Sequence, residues 1–391
     1  MRTGAEKGTA MVQRLVVIQN DPVGVAGHAI GISVKTLEGL EHYARGWPGD
    51  VVVAARVLPG LSDPLLTWRR RSDLPFDLDL RDVPSQTPAR DGAAVTLALH
   101  QHDHACLLER DPRRLVWTAE NPVRERIRLA SADAGPVTRA RITLGWMRRR
   151  PALRRMVAAA GGLQANGYPA FEAYASLARS SLLFFDTRVS RAMVQPAEIP
   201  MPAPGPREAQ RSLRVAFSGR HEAAKGPLHA IRAVVRARAA GASVTMDVFG
   251  QGAQTEQMRA AAAPAGECIA FHGSVPFADQ WVPTVRDGVD LMVLPHVQGD
   301  PAGTYLEAAA LGVPVLGFAN AALTALVREH GIGWTVPMKD DRRLAERLVE
   351  LAQEPGEVAL AGHRGIEFMR QHAFEDEFDR RVAHLREVAQ L

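Results

Sequence analysis

Two short segments in the second half of the chain carry side chains of the right type and spacing to hold a small, highly charged ligand. In FSGRHEAAKG (Phe217 to Gly226), Arg220 and Lys225 lie five positions apart, and in GDPAGTYLEAAALG (Gly299 to Gly312) carboxylates precede and open an alanine-rich run. Paired cations in a loop that starts a helix supply fixed positive charge and free backbone N–H groups at one place, and a diphosphate needs both. Carboxylates accept hydrogen bonds from sugar hydroxyls. Together the segments have the groups to hold both ends of a nucleotide-sugar. Taken singly, each has a plainer account: Arg220 and Lys225 as solvated surface charges, and Glu307 as an acid favoured by the helix dipole.

The surrounding pattern must place these groups. LRVAF (Leu213 to Phe217) reads as a buried strand, Ser218 and Gly219 as a turn, and PLHAIRAVVRARAA as a helix with Leu228, Ile231 and Val235 on one face. Arg220 and Lys225 then sit in a strand-to-helix loop. VDLMVLPHV reads as a second buried strand, which leads to a helix with Glu307 in its first turn, facing the same sheet edge. Strands and helices alternate along the whole chain: RLVVIQ, DVVVAARV, AVTLALH and RLVWTA, then LRVAF, VTMDVFG, DLMVLPH and VPVLGF. Between the two sets lies QPAEIPMPAPGPREAQR (Gln195 to Arg211), whose proline density suits an extended linker and excludes a helix or central strand. The expectation is α/β: two doubly wound, Rossmann-like domains with parallel sheets facing across a cleft, with ligands at the carboxyl ends of the strands. Its divisions are a loose tail at 1–11, an N-terminal domain at 12–195, the linker at 196–212, a C-terminal domain at 213–372 and a terminal helix at 373–391. Phe374, Phe378, Val382 and Leu385 give that last helix an apolar face, which packs either on its own domain or on the N-terminal one.

Signals in the first half are sparser. Gly24 and Gly27 flank a turn between the strand RLVVIQ and an amphipathic helix. His100, His102 and His104 follow the strand AVTLA, and a continuing strand would put all three on one side, a spacing that suggests a metal. No cysteine or carboxylate set completes such a site, and none is expected. Asn166 and Gly167 mark a turn before a helix in GLQANGYPAFEAYA.

From Leu213 to about Glu354, six motifs in order resemble the retaining glycosyltransferases of the family 4 type, which have the GT-B fold. FSGRHEAAKG is similar to their G-R-x-x-x-x-K-G donor-phosphate motif, VFGQG (Val248 to Gly252) to a glycine-rich turn, and FHGSV (Phe271 to Val275) to the loop lining the nucleotide base. LMVLPH resembles the strand before the sugar-binding carboxylates, LEAAALGVPVLG the helix and strand after them, and HGIGWTVPMKD the next turn and strand. The resemblance implies that Arg220 and Lys225 bind the donor diphosphate and Glu307 the ribose hydroxyls. It also implies that Gly219, Gly250, Gly273, Val275, Gly303 and Thr304 line the donor. The implied reaction moves a sugar from a UDP- or GDP-sugar to an acceptor hydroxyl, on a glycan or a lipid-linked saccharide. Configuration is retained, commonly by same-face attack, with no cofactor and no protein nucleophile.

The chain departs from that pattern in the carboxylates. Relatives usually carry two glutamates separated by seven residues; here Gly299 stands at the first position and Asp300 one step late, so Asp300 is expected to do the first glutamate's work. Where a T-x-H-N pattern puts a histidine on the transferred sugar, this chain reads T-A-E-N. Glu120 then either meets a sugar hydroxyl or developing positive charge, or caps a helix. HQHD resembles an H-x-H-D stretch at the cleft and makes His102 a cleft candidate. AGH (Ala26 to His28) resembles a Gly-Gly turn near the donor phosphates with one glycine lost, leaving Gly27. A sugar-nucleotide epimerase of the same architecture, or a non-catalytic nucleotide-sugar-binding partner, fits the same residues.

At 391 residues, with 46% hydrophobic and 23% charged side chains, the chain has material for two cores and no apolar run long enough to span a bilayer. Its two cysteines, Cys106 and Cys268, fall in different halves, and residues 1–11 lack the apolar core of a signal peptide, so the expected compartment is the cytoplasm, with the inner face of the membrane as the alternative that an arginine-rich stretch opens. Charge is uneven. Thirteen arginines against five acids between Leu107 and Arg155 concentrate positive charge in a chain of net +4. The stretch RARITLGWMRRRPALRRMV mixes Arg139, Arg141, Arg148, Arg149, Arg150, Arg154 and Arg155 with Ile142, Leu144, Trp146 and Met147. It reads either as a surface for an anionic bilayer or diphosphate-lipid, or as a solvated helix; no nucleic-acid-binding module accompanies it.

Overall fold

The computed structural model describes residues 13–61, 66–131, 134–194, 212–299 and 301–390. The tail at 1–11, nearly all of the proline-dense linker and Asp300 lie outside the described residues.

The N-terminal domain is built on strands β1 (Leu15–Ile18), β4 (Val51–Ala55), β6 (Asp77–Leu80), β7 (Val95–Leu99), β8 (Leu115–Ala119), β9 (Gly162–Asn166) and β10 (Ser181–Phe184). All pair in parallel in the order β10-β9-β8-β7-β1-β4-β6. The central strands are buried on both faces, which is why LVVI and VVVAA are continuous apolar runs without alternation. Helices α1 (Val34–Gly46), α2 (Val123–Ala130), α3 (Pro136–Ala159) and α4 (Tyr168–Tyr174) complete the layers. One insertion was not expected. Between β1 and α1 the chain forms a hairpin, β2 (Gly24–Ala26) and β3 (Ala29–Ser33), which pairs antiparallel with β5 (Leu66–Arg70). Gly27 therefore sits at an exposed hairpin tip with φ +58°, and the strand-to-helix turn itself is made by Ser33, whose hydroxyl caps α1 by accepting from the Thr36 N–H.

The C-terminal domain repeats the plan. Strands β11 (Leu213–Ser218), β12 (Val244–Phe249), β13 (Ile269–Gly273), β14 (Leu291–Val293), β15 (Val315–Phe318) and β16 (Gly333–Val336) form a parallel sheet in the order β13-β12-β11-β14-β15-β16. Around it lie α5 (Pro227–Ala239), α6 (Thr255–Ala262), α7 (Val282–Gly288), α8 (Gly303–Ala310), α9 (Ala321–His330), α10 (Asp341–Gln353) and α11 (Pro355–Met369). The inward face of α5 is centred on Ala230, Ile231 and Val234, while Leu228 and Val235 are only half-buried. Helix α12 (Phe374–Ala389) packs on the N-terminal domain: Phe374, Phe378, Val382 and Leu385 join Leu37, Leu40 and Tyr43 of α1 in one core. Gln164 and Arg381 lock it in place by exchanging two hydrogen bonds of 2.9 Å. The domains also meet directly, through the Tyr168 hydroxyl and His330 Nε2 at 2.8 Å and an Arg328–Glu172 ion pair at 2.7 Å.

Candidate functional site

The loop from Ser218 to Gly226 leaves the carboxyl end of β11, at the centre of its sheet, and feeds α5. Its shape is fixed by backbone. Gly226 has φ +66°, and a Cβ there would stand 2.1 Å from the Pro295 carbonyl oxygen, so only glycine fits. The His221 imidazole, almost wholly buried, bonds Thr255 through Nδ1 at 2.8 Å, and its backbone N–H donates to the Gln251 carbonyl. Thus anchored, the loop presents Arg220 outward, 71% exposed and 3.2 Å from Glu222 Oε1, and holds Lys225 half-buried at the entrance to α5. No side chain caps that helix, although Pro227 carries no N–H and the His229 N–H already donates to the Gly226 carbonyl at 3.0 Å. Gly219, Gly250 and Gly273 stand at the ends of three neighbouring strands and are stitched by backbone bonds, Gly219 N–H to Phe249 and Gly250 N–H to Gly273. Val275 is half-buried just beyond.

The second segment leaves β14, the strand next to β11. The two loops are joined: the Val297 N–H donates to the Ala224 carbonyl at 3.0 Å. Buried Asn320 braces the second segment from the start of α9, its amide donating to the His296 carbonyl and the Tyr305 hydroxyl while its oxygen caps the helix at Leu323. Helix α8 begins at Gly303, with Thr304 half-buried beside it, so Glu307 falls in its second turn and not its first, because the chain after Pro301 turns helical three residues before Leu306, where the apolar pattern begins. Glu307 is 7% exposed, and its Oε1 accepts from Arg188 Nε at 2.7 Å. Arg188 in turn lies over the Phe277 ring, 3.5 Å from its centroid. Arg188, contributed by the N-terminal side, thus spans from the loop after β13 to the α8 carboxylate.

Three further residues of this region had no sequence signal. His296 is buried, with neither ring nitrogen hydrogen-bonded, and burial together with the charge of Lys225 holds it neutral, well below the usual imidazole range. Arg188 is the second. Glu125 of α2 is the third: it is 2% exposed and paired to Arg128, and a Cβ added at Gly299 would lie 2.4 Å from its Oε2. The N-terminal domain therefore abuts the loop that carries the expected carboxylates.

In the N-terminal domain, Glu120 follows β8 and lines a pocket of about 430 Å³ together with Asn20, Lys35, Thr118, Asp186 and Arg381. Burial raises its carboxyl above the usual range, Asp186 adds to the shift, and Lys35 and Arg381 oppose it. Lys35 and Asp186 pair at 2.6 Å. His102 lies outside this lining, exposed at the start of a 3-10 turn. The three histidines do not share a face, because β7 ends at Leu99 and the chain coils: His100 is buried against the Leu153 carbonyl, and His104 bonds the Leu99 carbonyl. Among the described residues no group of three or more His, Cys, Asp or Glu side chains is arranged to hold a metal. Asn166 ends strand β9, and Gly167, φ +75°, turns the chain into α4.

The family match falls on this same region. Residues 212–354 match the model of the family described as Glycosyl transferases group 1. A 2-deoxystreptamine glucosyltransferase of Streptomyces kanamyceticus is 33% identical over 157 residues, 40% of this chain and 40% of its own length. A 2-deoxystreptamine N-acetyl-D-glucosaminyltransferase of Streptomyces fradiae is 35% identical over 95 residues, 24% of this chain and 22% of its own. The chain thus spans well under half the length of these relatives. Over 97% of this chain and 100% of the other, the fold is similar to that of Anabaena HepE in complex with UDP, with a TM-score of 0.60 and 14% identity. In sequence the C-terminal domain matches Glycosyl transferases group 1, and in structure the chain has the GT-B fold, two Rossmann-like domains across a cleft.

Proposed function

We propose that the chain is a glycosyltransferase that moves a sugar from a nucleotide-diphosphate donor to an acceptor hydroxyl with retention of configuration, in the manner of family 4. The supporting observation is that the Arg220–Lys225 loop and the segment leading to the Glu307 helix leave adjacent strands, are joined by the Val297–Ala224 hydrogen bond, and lie within the span that matches the family. In this reading Arg220, Lys225 and the open N-terminus of α5 stabilise the negative charge that grows on the departing diphosphate. Glu307 accepts from the ribose through its second oxygen, with Arg188 holding the first. No cofactor is required. The acceptor, a saccharide or a lipid-linked saccharide, enters by the Glu120 pocket, whose raised carboxyl is suited to exchanging a proton with a hydroxyl. Attack from the leaving-group face needs no protein nucleophile, and closure of the domains limits hydrolysis. Asp300 and Glu120 take the places of the family's usual glutamate and histidine. The test is nucleoside diphosphate release from UDP- and GDP-sugars with and without acceptors, including aminocyclitols because two relatives are named for 2-deoxystreptamine. Release that depends on an acceptor, with a glycosylated product, is the expected result. Acceptor-free interconversion of the donor, or binding without turnover, overturns the reading in favour of an epimerase or an idle binding partner.

A further inference from the structure

Helix α3 is 24 residues long, but the domain grips only its last third, where Leu153, Met156 and Val157 are buried. From Pro136 to Pro151 every residue is exposed or half-buried. Successive steps of three or four place Val137, Ala140, Leu144, Met147 and Pro151 on one face, and the three large side chains among them are 77%, 53% and 45% exposed. Ile142 and Trp146 belong to the opposite face, where Trp146 lies between the guanidinium groups of Arg126 and Arg149, each 5.5 Å from its ring. The helix is therefore apolar on two opposed sides, one used by the fold and one facing out. Arg141, Arg148 and Arg155 border the outer stripe on one side, and Arg139, Arg150 and Arg154 on the other. The 24 residues hold seven arginines and no acid. A shallow groove of about 520 Å³ runs along the stripe between Arg139 and Met147.

We infer that this outer face of α3 docks on the anionic headgroup surface of a phospholipid bilayer, with Val137, Leu144 and Met147 entering the headgroup boundary and the arginine rows meeting lipid phosphates. Both features are needed to select this partner. A nucleic-acid duplex matches the arginines but offers nothing to the apolar stripe, and a second copy of the chain would bring seven arginines against seven. A guanidinium pairs with phosphate through two N–H groups, so an arginine row suits such a surface better than lysines would. The inference does not depend on the sugar chemistry, and its test needs no donor.

Flotation with vesicles of equal parts phosphatidylglycerol and phosphatidylcholine, set against phosphatidylcholine alone, reads it directly. The full chain is expected to float with the anionic vesicles only, and to be released by high salt. Replacing two arginines, Arg141→Ala with Arg148→Ala, should weaken binding roughly 25-fold, at about a fivefold loss for each. Leu144→Asp should weaken it comparably, whereas Arg236→Glu on α5 should leave it unchanged. The substituted side chains are solvent-facing, so an unaltered melting temperature separates lost docking from lost fold. Equal binding to neutral vesicles, no binding to either, or undiminished flotation of Leu144→Asp overturns the inference. So does a solution dimer that Leu144→Asp dissolves, or nucleic-acid binding as tight as vesicle binding and indifferent to that substitution.

Discussion

Lys225 and Arg220 differ in how firmly the fold holds them, and that difference decides which of them matters more. Arg220 is largely in solvent beside Glu222, whereas Lys225 is half-buried at the head of α5 with neutral His296 behind it. A pre-positioned cation loses less on binding a diphosphate than one that must first be ordered. Lys225→Ala is therefore expected to lower donor turnover by about a hundredfold or more, and Arg220→Ala by less. Steady-state rates of nucleotide release check this, and wild-type turnover in Lys225→Ala would remove the phosphate assignment. The types and spacing of these two residues were legible in the sequence because the loop is local: strand, turn and helix follow within fourteen positions. Arg188 and Glu307 lie 119 positions apart, and Glu125 meets Gly299 from the other domain. No periodicity or motif encodes a contact made only when two domains close.

Among the elements, the long parallel strands were readable and their interruptions were not. RLVVIQ shows its burial on both faces as an unbroken apolar run, and AVTLALH and LRVAF are mostly apolar with Thr96 and Arg214 inside their strands, but the β2–β3 hairpin is short and edge-like, and GLQAN hides a strand behind a polar glutamine that bonds Arg381. The histidine spacing misled for a physical reason: alternation holds only while a strand lasts, and β7 stops at Leu99. What His100 does instead is tie that strand's end to α3 through the Leu153 carbonyl, packed edge-on against Tyr174. Burial, aided by the charge of Arg126, lowers its pKa to about 4 from 6.5. The unfolded chain then takes up a proton that the folded one refuses, so stability falls as pH drops below 6.5 and levels out below 4. Between pH 7 and pH 5 this one group costs about 2 kcal/mol. Unfolding free energies from denaturant titrations of wild type and His100→Gln, which keeps a donor for Leu153, should diverge by that amount over the interval. Parallel pH profiles would show that His100 takes up its proton as readily in the folded chain as in the unfolded one.

At the scale of the molecule, α12 ties the two ends of the chain together. It follows the C-terminal sheet in sequence yet buries its apolar face in the N-terminal core, so a sequence pattern could show the face, through Phe374, Phe378, Val382 and Leu385, but not its destination. The deciding feature lies on α1, where Gly39 leaves room for a ring: a Cβ there would stand 2.7 Å from Phe378 Cζ. Glycine inside a helix ordinarily costs about 1 kcal/mol relative to alanine, and this one is offset by the aromatic it admits. Phe378 stacks obliquely on Phe374 at 4.7 Å and meets Tyr43 edge-on at 5.2 Å, with Arg381 over the same cluster. Phe378→Ala removes the centre of that cluster and should destabilise the N-terminal domain by about 3–5 kcal/mol. Because the C-terminal sheet has its own core, with Phe217, Val248 and Tyr305 fully buried, it should keep its melting behaviour while the N-terminal domain unfolds earlier. Calorimetry of the variant is then expected to split one transition into two, the lower one insensitive to added UDP and the upper one raised by it. A single transition shifted as a whole would mean instead that the domains unfold as one unit, with α12 as the clasp that couples them.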